Sequence, residues 1–281
     1  MDLDALPLLL IMALALGLIL CLVAGPLVQR RRRQRLRAQP FPQAWRRILR
    51  RRVPLAQRLP ADLHMRLKQE IQVFLAEKPI IGCDGLVVTD EMRVTIAAQA
   101  CLPLLGARRG YYPQLKQILL YPGAFVVDRP VSEPGGVLRE QRRALAGESW
   151  VQGQVLLSWR DVQAGAADPM DGHNVVIHEF AHQLDQAKGH ANGAPLLSDA
   201  QAYRRWSTVM QNEFDALQSR LARGEASLID AYGATDPAEF FAVSSELFFE
   251  RPLDLAQEHP ALYGVLSAYY RLNPINWDQG R

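Results

Sequence analysis

An H-E-x-x-H pattern running from His178 to His182 constrains the fold of this chain more than any other sequence feature. In an α-helix, residues four apart lie one above the other on the same face, so both imidazoles can reach one metal ion. Glu179, beside the first histidine, is then placed to act on a water molecule at that ion. The pattern therefore predicts a helix with one polar stripe that faces a zinc site.

The neighbouring residues indicate that this helix is buried on its other faces. It is predicted to start at Asp171-Gly172, and its apolar residues are Val175, Val176, Ile177, Phe180, Ala181 and Leu184. A pattern with three fixed positions also arises by chance, so two surface histidines on an ordinary helix is the competing interpretation. The apolar surroundings favour the metal site. Asp185 lies one turn after the second histidine, and either orients a ligand imidazole or is simply solvated.

A catalytic zinc ion usually has three protein ligands and one open position, so a third ligand is needed. Metzincins place Gly and His at the positions that Asp185 and Lys188 occupy here, which excludes that class. Glu239 is the strongest candidate, and Glu246, seven residues later on the same helix face, is the alternative. Glu239 also has a purely structural interpretation, because Asp236, Pro and Glu in this spacing resemble a capping box. Spacing favours Glu239 as the ligand.

The N-terminal region is apolar and uncharged from residue 5 to residue 28. As a helix this run would span about 36 Å, which exceeds a bilayer core of about 30 Å. A cleaved signal peptide would carry positive charge before the apolar run, whereas residues 1–4 include two aspartates. We predict a short tail at 1–4 and one transmembrane helix at 5–28; a buried core helix is the competing interpretation.

Positive charge is concentrated directly after this run. Residues 30–52 hold eleven arginines and no acidic residue, and because the whole chain carries +3, the remainder carries −8. Arginines beside a span stay in the cytoplasm, so we predict a single-pass protein of the inner (cytoplasmic) membrane whose catalytic domain faces the cytoplasm. Residues 29–44 are predicted as an Arg-rich juxtamembrane linker that can contact the lipid bilayer. Nucleic acid is not expected as a partner, since only Trp45 interleaves the charges.

Residues 45–281 are predicted to form one domain. Apolar spacing indicates helices at 63–76 and 94–105, strands are predicted at 118–121, 125–127 and 154–159, and residues 79–89 are predicted as a turn. The chain is predicted to be mainly helical after residue 172. The expected fold class is α+β, a zincin-like metallopeptidase domain with an active-site helix and a small sheet, preceded by the transmembrane helix. Three cysteines without a C-x-x-C pair fit a reducing compartment.

Two segments, residues 171–185 and 232–243, together resemble the Mlc titration factor A family of zinc-dependent peptidases. Residues 121–125 and 156–159 are also similar to that family, which is related to the catalytic domain of anthrax lethal factor. The resemblance covers most of residues 45–275. It implies that Glu239 is the third zinc ligand and that Tyr232 stabilises the developing oxyanion. Judged without the resemblance, Tyr232 is equally well a turn residue before a glycine.

These residues and the resemblance predict a membrane-anchored metallopeptidase with Zn²⁺ as cofactor and a peptide or protein as substrate. The expected ligands are His178, His182 and Glu239. Glu179 is the expected general base, and Asp185 or Glu246 is expected to orient a ligand or the tyrosine. The resemblance implies aminopeptidase-like action and a partnership with a transcriptional repressor. The alternative is a membrane-bound regulator that binds a transcription factor and uses zinc structurally; the intact Glu179 argues against it.

Overall fold

The computed structural model describes residues 5–106, 111–132, 138–145, 147–150 and 153–280. The chain divides into two compact units, Met1–Phe41 and Pro42–Arg281. In the first unit, helix α1 (Ala5–Ala38) includes Pro26 and continues into residues that we predicted as linker. Within the described part of the chain, no helix is both long and apolar enough to cross a membrane. Most side chains of the predicted span at 5–28, and the tail at 1–4, lie outside the described residues, so both stay predictions.

The second unit combines helices with a small sheet, which confirms the α+β class. Its helices are α2 (Gln43–Arg52), α3 (Ala61–Glu77), α4 (Asp90–Cys101), α5 (Trp159–Ala167), α6 (Val175–Asp185), α7 (Ala200–Ala222), α8 (Pro237–Glu250), α9 (Pro252–Glu258) and α10 (Pro260–Tyr270). Its strands are β1 (Ile80–Gly82), β2 (Gln117–Tyr121), β3 (Phe125–Ser132), β4 (Leu138–Leu145), β5 (Gly147–Trp150) and β6 (Gln154–Ser158). Short 3₁₀ turns occur at Pro54–Gln57, Leu102–Leu104, Gln186–Lys188, Ala231–Ala234 and Pro274–Gly280.

The main sheet has the strand order β1-β2-β6-β5. The first three strands are parallel, with Ile118 paired to both Ile80 and Val155, and β5 is antiparallel to β6 at one edge. Strands β3 and β4 form a separate antiparallel hairpin. Strand β1 lies where we predicted only a turn. Its three residues are too few for the sequence to show the period of a strand, and their strand conformation depends on pairing with β2.

Helix α4 contacts α2, α3, α5 and α6, and it begins four residues earlier than predicted. The Thr89 hydroxyl accepts a hydrogen bond from the backbone N–H of Met92 and so caps the helix at Asp90. The helix ends at Cys101 and passes into a 3₁₀ turn that contains Pro103. The core residues from Val94 to Cys101 are all buried. The apolar run therefore marks the buried part of the helix and not its ends.

Helix α8 is buried along its whole length after its first turn, from Phe240 to Glu250. Aromatic rings pack around it. Phe214 contacts Phe240, and a second group of rings in contact consists of Trp206, Phe241, Phe248, Phe249, Tyr263, Tyr269, Tyr270 and Trp277. Such pairs contribute about 0.5–1.5 kcal/mol each beyond their buried area. This cluster packs α8 against α7 and α10. Helix α8 also contacts α6, so the two helices that carry the site lie side by side.

Candidate metal centre

Helix α6 begins at Val175, three residues later than predicted. Asn174 is its N-cap, and the Asn174 side-chain oxygen accepts the backbone N–H of Ile177 at 3.0 Å. The predicted start was wrong because Gly172 has a φ of +85°, which is outside the right-handed helical region. A Cβ at Gly172 would also lie 2.8 Å from the Leu247 side chain. The glycine therefore serves a close approach to α8 and does not start the helix.

The H-E-x-x-H pattern lies on α6 as predicted, with its apolar faces in the core. Val176, Ile177, Phe180 and Ala181 are fully buried, and the Phe180 ring packs against Tyr112 with centroids 4.7 Å apart. The polar stripe is also largely covered, because α8 lies across it. The two histidines and the glutamate between them are therefore not surface residues.

Glu239 lies in the first turn of α8 and points at both histidines. Its Oε2 lies 2.9 Å from Nε2 of His178 and 3.3 Å from Nε2 of His182, and these two nitrogens are 3.2 Å apart. The cap is present as well, because Asp236 accepts the backbone N–H groups of Ala238 and Glu239. The capping interpretation of this segment is confirmed, and the cap uses only the backbone of Glu239 and leaves its carboxylate to contact the histidines.

The donor set fits a divalent metal. The ligand atoms of His178, His182 and Glu239 all lie within 4.8 Å of one another. A tetrahedral zinc ion with bonds of about 2.0–2.1 Å separates two ligand atoms by roughly 3.3 Å, which is close to the three observed separations. Burial alone would raise the pKa of Glu239, but its hydrogen bonds to the two histidines hold it well below its usual range. The carboxylate is therefore ionised, as a ligand must be.

Glu246 contacts the other side of the His178 ring. Its Oε1 lies 2.7 Å from Nδ1 of His178, and its Oε2 accepts the backbone N–H of Asn174. Nδ1–H donates to Glu246, and Nε2, which faces Glu239, is the nitrogen that can bind a metal once it has released its own proton. Burial disfavours the imidazolium, yet the bonds to Glu239 and Glu246 raise the pKa of His178 well above its usual value in the metal-free site.

Glu179 and Tyr232 both lie next to His178. Glu179 is buried, 4% exposed, and its negative charge acts on His178. The Tyr232 ring lies 5.9 Å from the His178 ring, at an angle of 38°, and is 41% exposed. Tyr232 also belongs to the turn Ala231–Ala234, where Asp230 accepts its backbone N–H at 2.7 Å. It is thus a turn residue whose ring borders the site and is open to solvent.

Asp185 makes a different contact from the one expected. Its Oδ2 accepts the backbone N–H groups of Asn192 at 2.7 Å and Gly193 at 2.6 Å. Its other carboxylate oxygen has no hydrogen-bond partner among the described residues, so no bond to a ligand imidazole is formed. The carbonyl oxygen of Gly193 also accepts the indole N–H of Trp206. Gly193 has a φ of +76°, and Pro237 leaves no room for a Cβ at this position. Asp185 therefore fixes the loop after α6 against the start of α8, the turn that carries Glu239.

Two further residues of the site were not predicted from the sequence. Asn174 donates from Nδ2 to Glu250 at 2.9 Å and to the carbonyl oxygen of Gly165 at 3.1 Å. Glu250 is fully buried, and burial, with the charges of Asp171 and Glu246, raises its pKa to about 8. Asn directly before an apolar helical run is a recognisable N-cap signal. The spacing of Glu250, four residues after Glu246, gives no comparable sign of its contact with another helix.

Comparisons with known proteins agree with this arrangement. The chain matches the family "Glucose-regulated metallo-peptidase M90" over residues 27–271. It is 41% identical over 271 residues to an uncharacterized protein of Synechocystis sp., covering 96% of this chain and 98% of that protein. It is 34% identical over 226 residues to Mlc titration factor A of Pectobacterium atrosepticum, and 36% identical over 228 residues to that of Klebsiella pneumoniae. Both matches cover 79% of this chain and 84% of the relative. The chain thus belongs to the glucose-regulated metallo-peptidase M90 family.

Proposed function

We propose that this protein is a zinc-dependent peptidase that hydrolyses peptide bonds. The observation that carries the proposal is the convergence of His178, His182 and Glu239, from two helices, on one point. Two imidazole nitrogens and a carboxylate oxygen are a common ligand set of catalytic zinc, and leave the fourth position open. Membership of a metallo-peptidase family supports the same conclusion.

Each neighbouring residue has a role in this proposal. Zinc, when bound, supplies a Lewis acid that makes a water molecule nucleophilic near neutral pH. Glu179 accepts the proton of that water and passes it to the leaving amine. The Tyr232 phenol donates a hydrogen bond to the carbonyl oxygen as negative charge develops on it. Glu246 holds the His178 ring in the tautomer and orientation that expose Nε2.

The test compares Glu179→Gln with the wild-type chain for zinc content and peptide hydrolysis. Glutamine has nearly the same shape but cannot accept the proton, so we expect about one zinc per chain in both proteins and hydrolysis only in the wild type. Glu258→Gln is the matched control, because Glu258 is an exposed glutamate at the end of α9. Equal hydrolysis by wild type and Glu179→Gln would refute the mechanism.

We further propose aminopeptidase-like action, which the family resemblance supports. Peptides with a free amino terminus should then be cleaved, and the same peptides with an acetylated terminus should not. Cleavage of both at internal bonds would show an endopeptidase instead. This comparison leaves the zinc mechanism intact in either case.

We also propose that the chain is anchored in the inner membrane with its catalytic domain in the cytoplasm. The uncharged run at 5–28 and the arginines that follow it support this placement. A reporter enzyme that works only in the cytoplasm should be active when it is fused after residue 60. Activity of a periplasm-specific reporter at the same position would contradict the orientation.

A second candidate function is regulation by binding a transcriptional repressor. It is supported by the name of the curated relatives, Mlc titration factor A. If regulation depends on binding alone, Glu179→Gln should keep full regulatory effect while losing hydrolysis. If regulation depends on cleavage, the same variant should lose both.

A further inference from the structure

A basic cavity lies between α2 and α3, formed by residues that are not part of the metal centre. It has a volume of about 550 Å³, within the usual range of small-ligand sites. It is lined by Gln43, Arg46, Arg47, Leu49, Arg50, Gln57, His64 and Lys68.

The spacing of these residues explains why the cations converge. On α2, Arg50 lies four residues after Arg46 and three after Arg47, so it is a neighbour of both on the helix surface. On α3, His64 and Lys68 are four apart and face them across the cavity. Two helix faces thus present positive charge to the same space.

The described lining of the cavity supplies positive charge and no carboxylate. None of the described residues that line it is acidic. The carboxylates of the adjacent α4 contact other residues of α2, because Glu91 pairs with Arg52 at 2.7 Å and Asp90 accepts the indole N–H of Trp45 at 3.1 Å. An anion from outside the chain would therefore bring negative charge to a lining whose described residues have none.

The pKa values of the two α3 residues reflect their burial and, to a smaller extent, the neighbouring cations. Burial and the Lys68 ammonium lower the pKa of His64. Burial and the Arg46 guanidinium lower the pKa of Lys68. Burial and the neighbouring cation both favour the uncharged forms of His64 and Lys68. An anion in the cavity would relieve the repulsion between the cations, which would favour its binding.

We propose that the cavity between α2 and α3 is a binding site for a phosphate group. Arginine presents a planar fork of donors that matches phosphate oxygens, and three arginines with a lysine can engage several oxygens at once. A single carboxylate would bring one negative charge to this set, whereas a phosphate monoester brings up to two. The buried side chain of Leu49 provides an apolar contact beside the charged groups.

The phosphate can belong to a soluble ester or to a lipid head group. The experiment measures binding of inorganic phosphate to the full chain in phosphatidylcholine nanodiscs, from the saturable rise in Tm at constant ionic strength. The protein is stripped of zinc first, so that phosphate at the metal centre does not contribute. Repeating the titration in nanodiscs that also contain phosphatidic acid separates the two sources. A weaker apparent affinity there indicates that lipid head groups occupy the cavity, and an unchanged affinity indicates a soluble ligand.

Arg50→Gln and, separately, Lys68→Gln should each weaken phosphate binding by at least about ten-fold, since each removes a charged donor. Arg51→Gln is the matched control, because Arg51 is the next residue on the same helix and does not line the cavity. It should change the affinity little. Absence of saturable binding in the wild type, or an equal loss in Arg51→Gln, would overturn the proposal. Zinc content and peptide hydrolysis of the zinc-loaded variants should match the wild type, which keeps this test separate from that of the peptidase.

Discussion

Glu250 is a buried carboxyl group whose protonation should make the stability of this protein depend on pH. Burial raises its pKa to about 8, the charges of Asp171 and Glu246 add to the effect, and the hydrogen bond from Asn174 opposes it. At neutral pH the folded protein therefore holds a proton at Glu250. The perturbation that tests this is Glu250→Gln, which is neutral at every pH and keeps an oxygen to accept from Asn174 Nδ2.

The size of the effect follows from the two pKa values. The ordinary pKa of a glutamate is 4.5, and the folded value is about 8. Between these values the folded state binds a proton that the unfolded chain has released, so the free energy of unfolding falls as pH rises. The fall is about 1.4 kcal/mol for each pH unit, or on the order of 4–5 kcal/mol across the window. This contribution is complete below pH 4.5 and is lost above about pH 8.

The assay is urea unfolding of wild type and Glu250→Gln, with the free energy of unfolding measured at intervals from about pH 5 to pH 9. The difference between the two proteins is the informative quantity, because other titrating groups are common to both. Glu250→Gln should gain stability relative to wild type as pH rises, by several kcal/mol at the alkaline end. Glu258→Gln, at an exposed glutamate, should run parallel to wild type. Parallel curves for wild type and Glu250→Gln would refute the reasoning.

Three other predictions concern the site and its support. Glu239→Ala should deplete zinc more than Glu246→Ala, because Glu246 only forms a hydrogen bond to a ligand, and loss of such a bond typically costs about 10–100-fold in metal affinity. Zinc content after dialysis against a weak chelator measures this, and the reverse order would exchange the two roles. Tyr232→Phe should lower kcat by about 10²–10³ with zinc content unchanged, and an unaltered kcat would leave Tyr232 a turn residue only. Gly193→Ala should lower stability by more than about 1–2 kcal/mol, because its φ is +76° and the new Cβ would lie 2.3 Å from a backbone oxygen at the start of α8. Gly224→Ala, at a φ of +70° with open space around it, measures the backbone penalty alone in thermal unfolding, and equal losses in the two variants would contradict the contact.

Apolar spacing predicted the long elements well and the short ones poorly. The helix at 63–76 corresponds to α3, and the strands at 118–121 and 154–159 correspond to β2 and β6. Strand β1 was missed, because three residues carry no period and form a strand only when paired with β2. The predicted starts of α4 and α6 were wrong, because a single capping side chain, and not the apolar run, decides where a helix begins.

For the acidic residues of the site as well, the sequence predicted their positions along the chain, and the tertiary structure decided their contacts. Spacing placed Glu239 and Glu246 on one helix face and favoured Glu239 as the ligand, with Glu246 as the alternative. In the folded chain Glu239 lies on the Nε2 side of His178 and Glu246 on the Nδ1 side, so the two carboxylates contact different nitrogens of one ring. Asp185 and Glu246 were both candidates to orient a ligand or the tyrosine, and Asp185 accepts backbone N–H groups of a loop instead.

The sequence by itself determined the pair of histidines on one face of a helix, since a spacing of four is a property of the α-helix alone. It also determined the uncharged run and the arginines beside it, which are properties of composition. Only the tertiary structure decided how α8 crosses α6, and with it the place of Glu239, the bond of Glu246 to the His178 ring and the burial of Glu250. These contacts join residues 61 to 76 positions apart, and no local pattern records them because they arise from the packing of two buried helices.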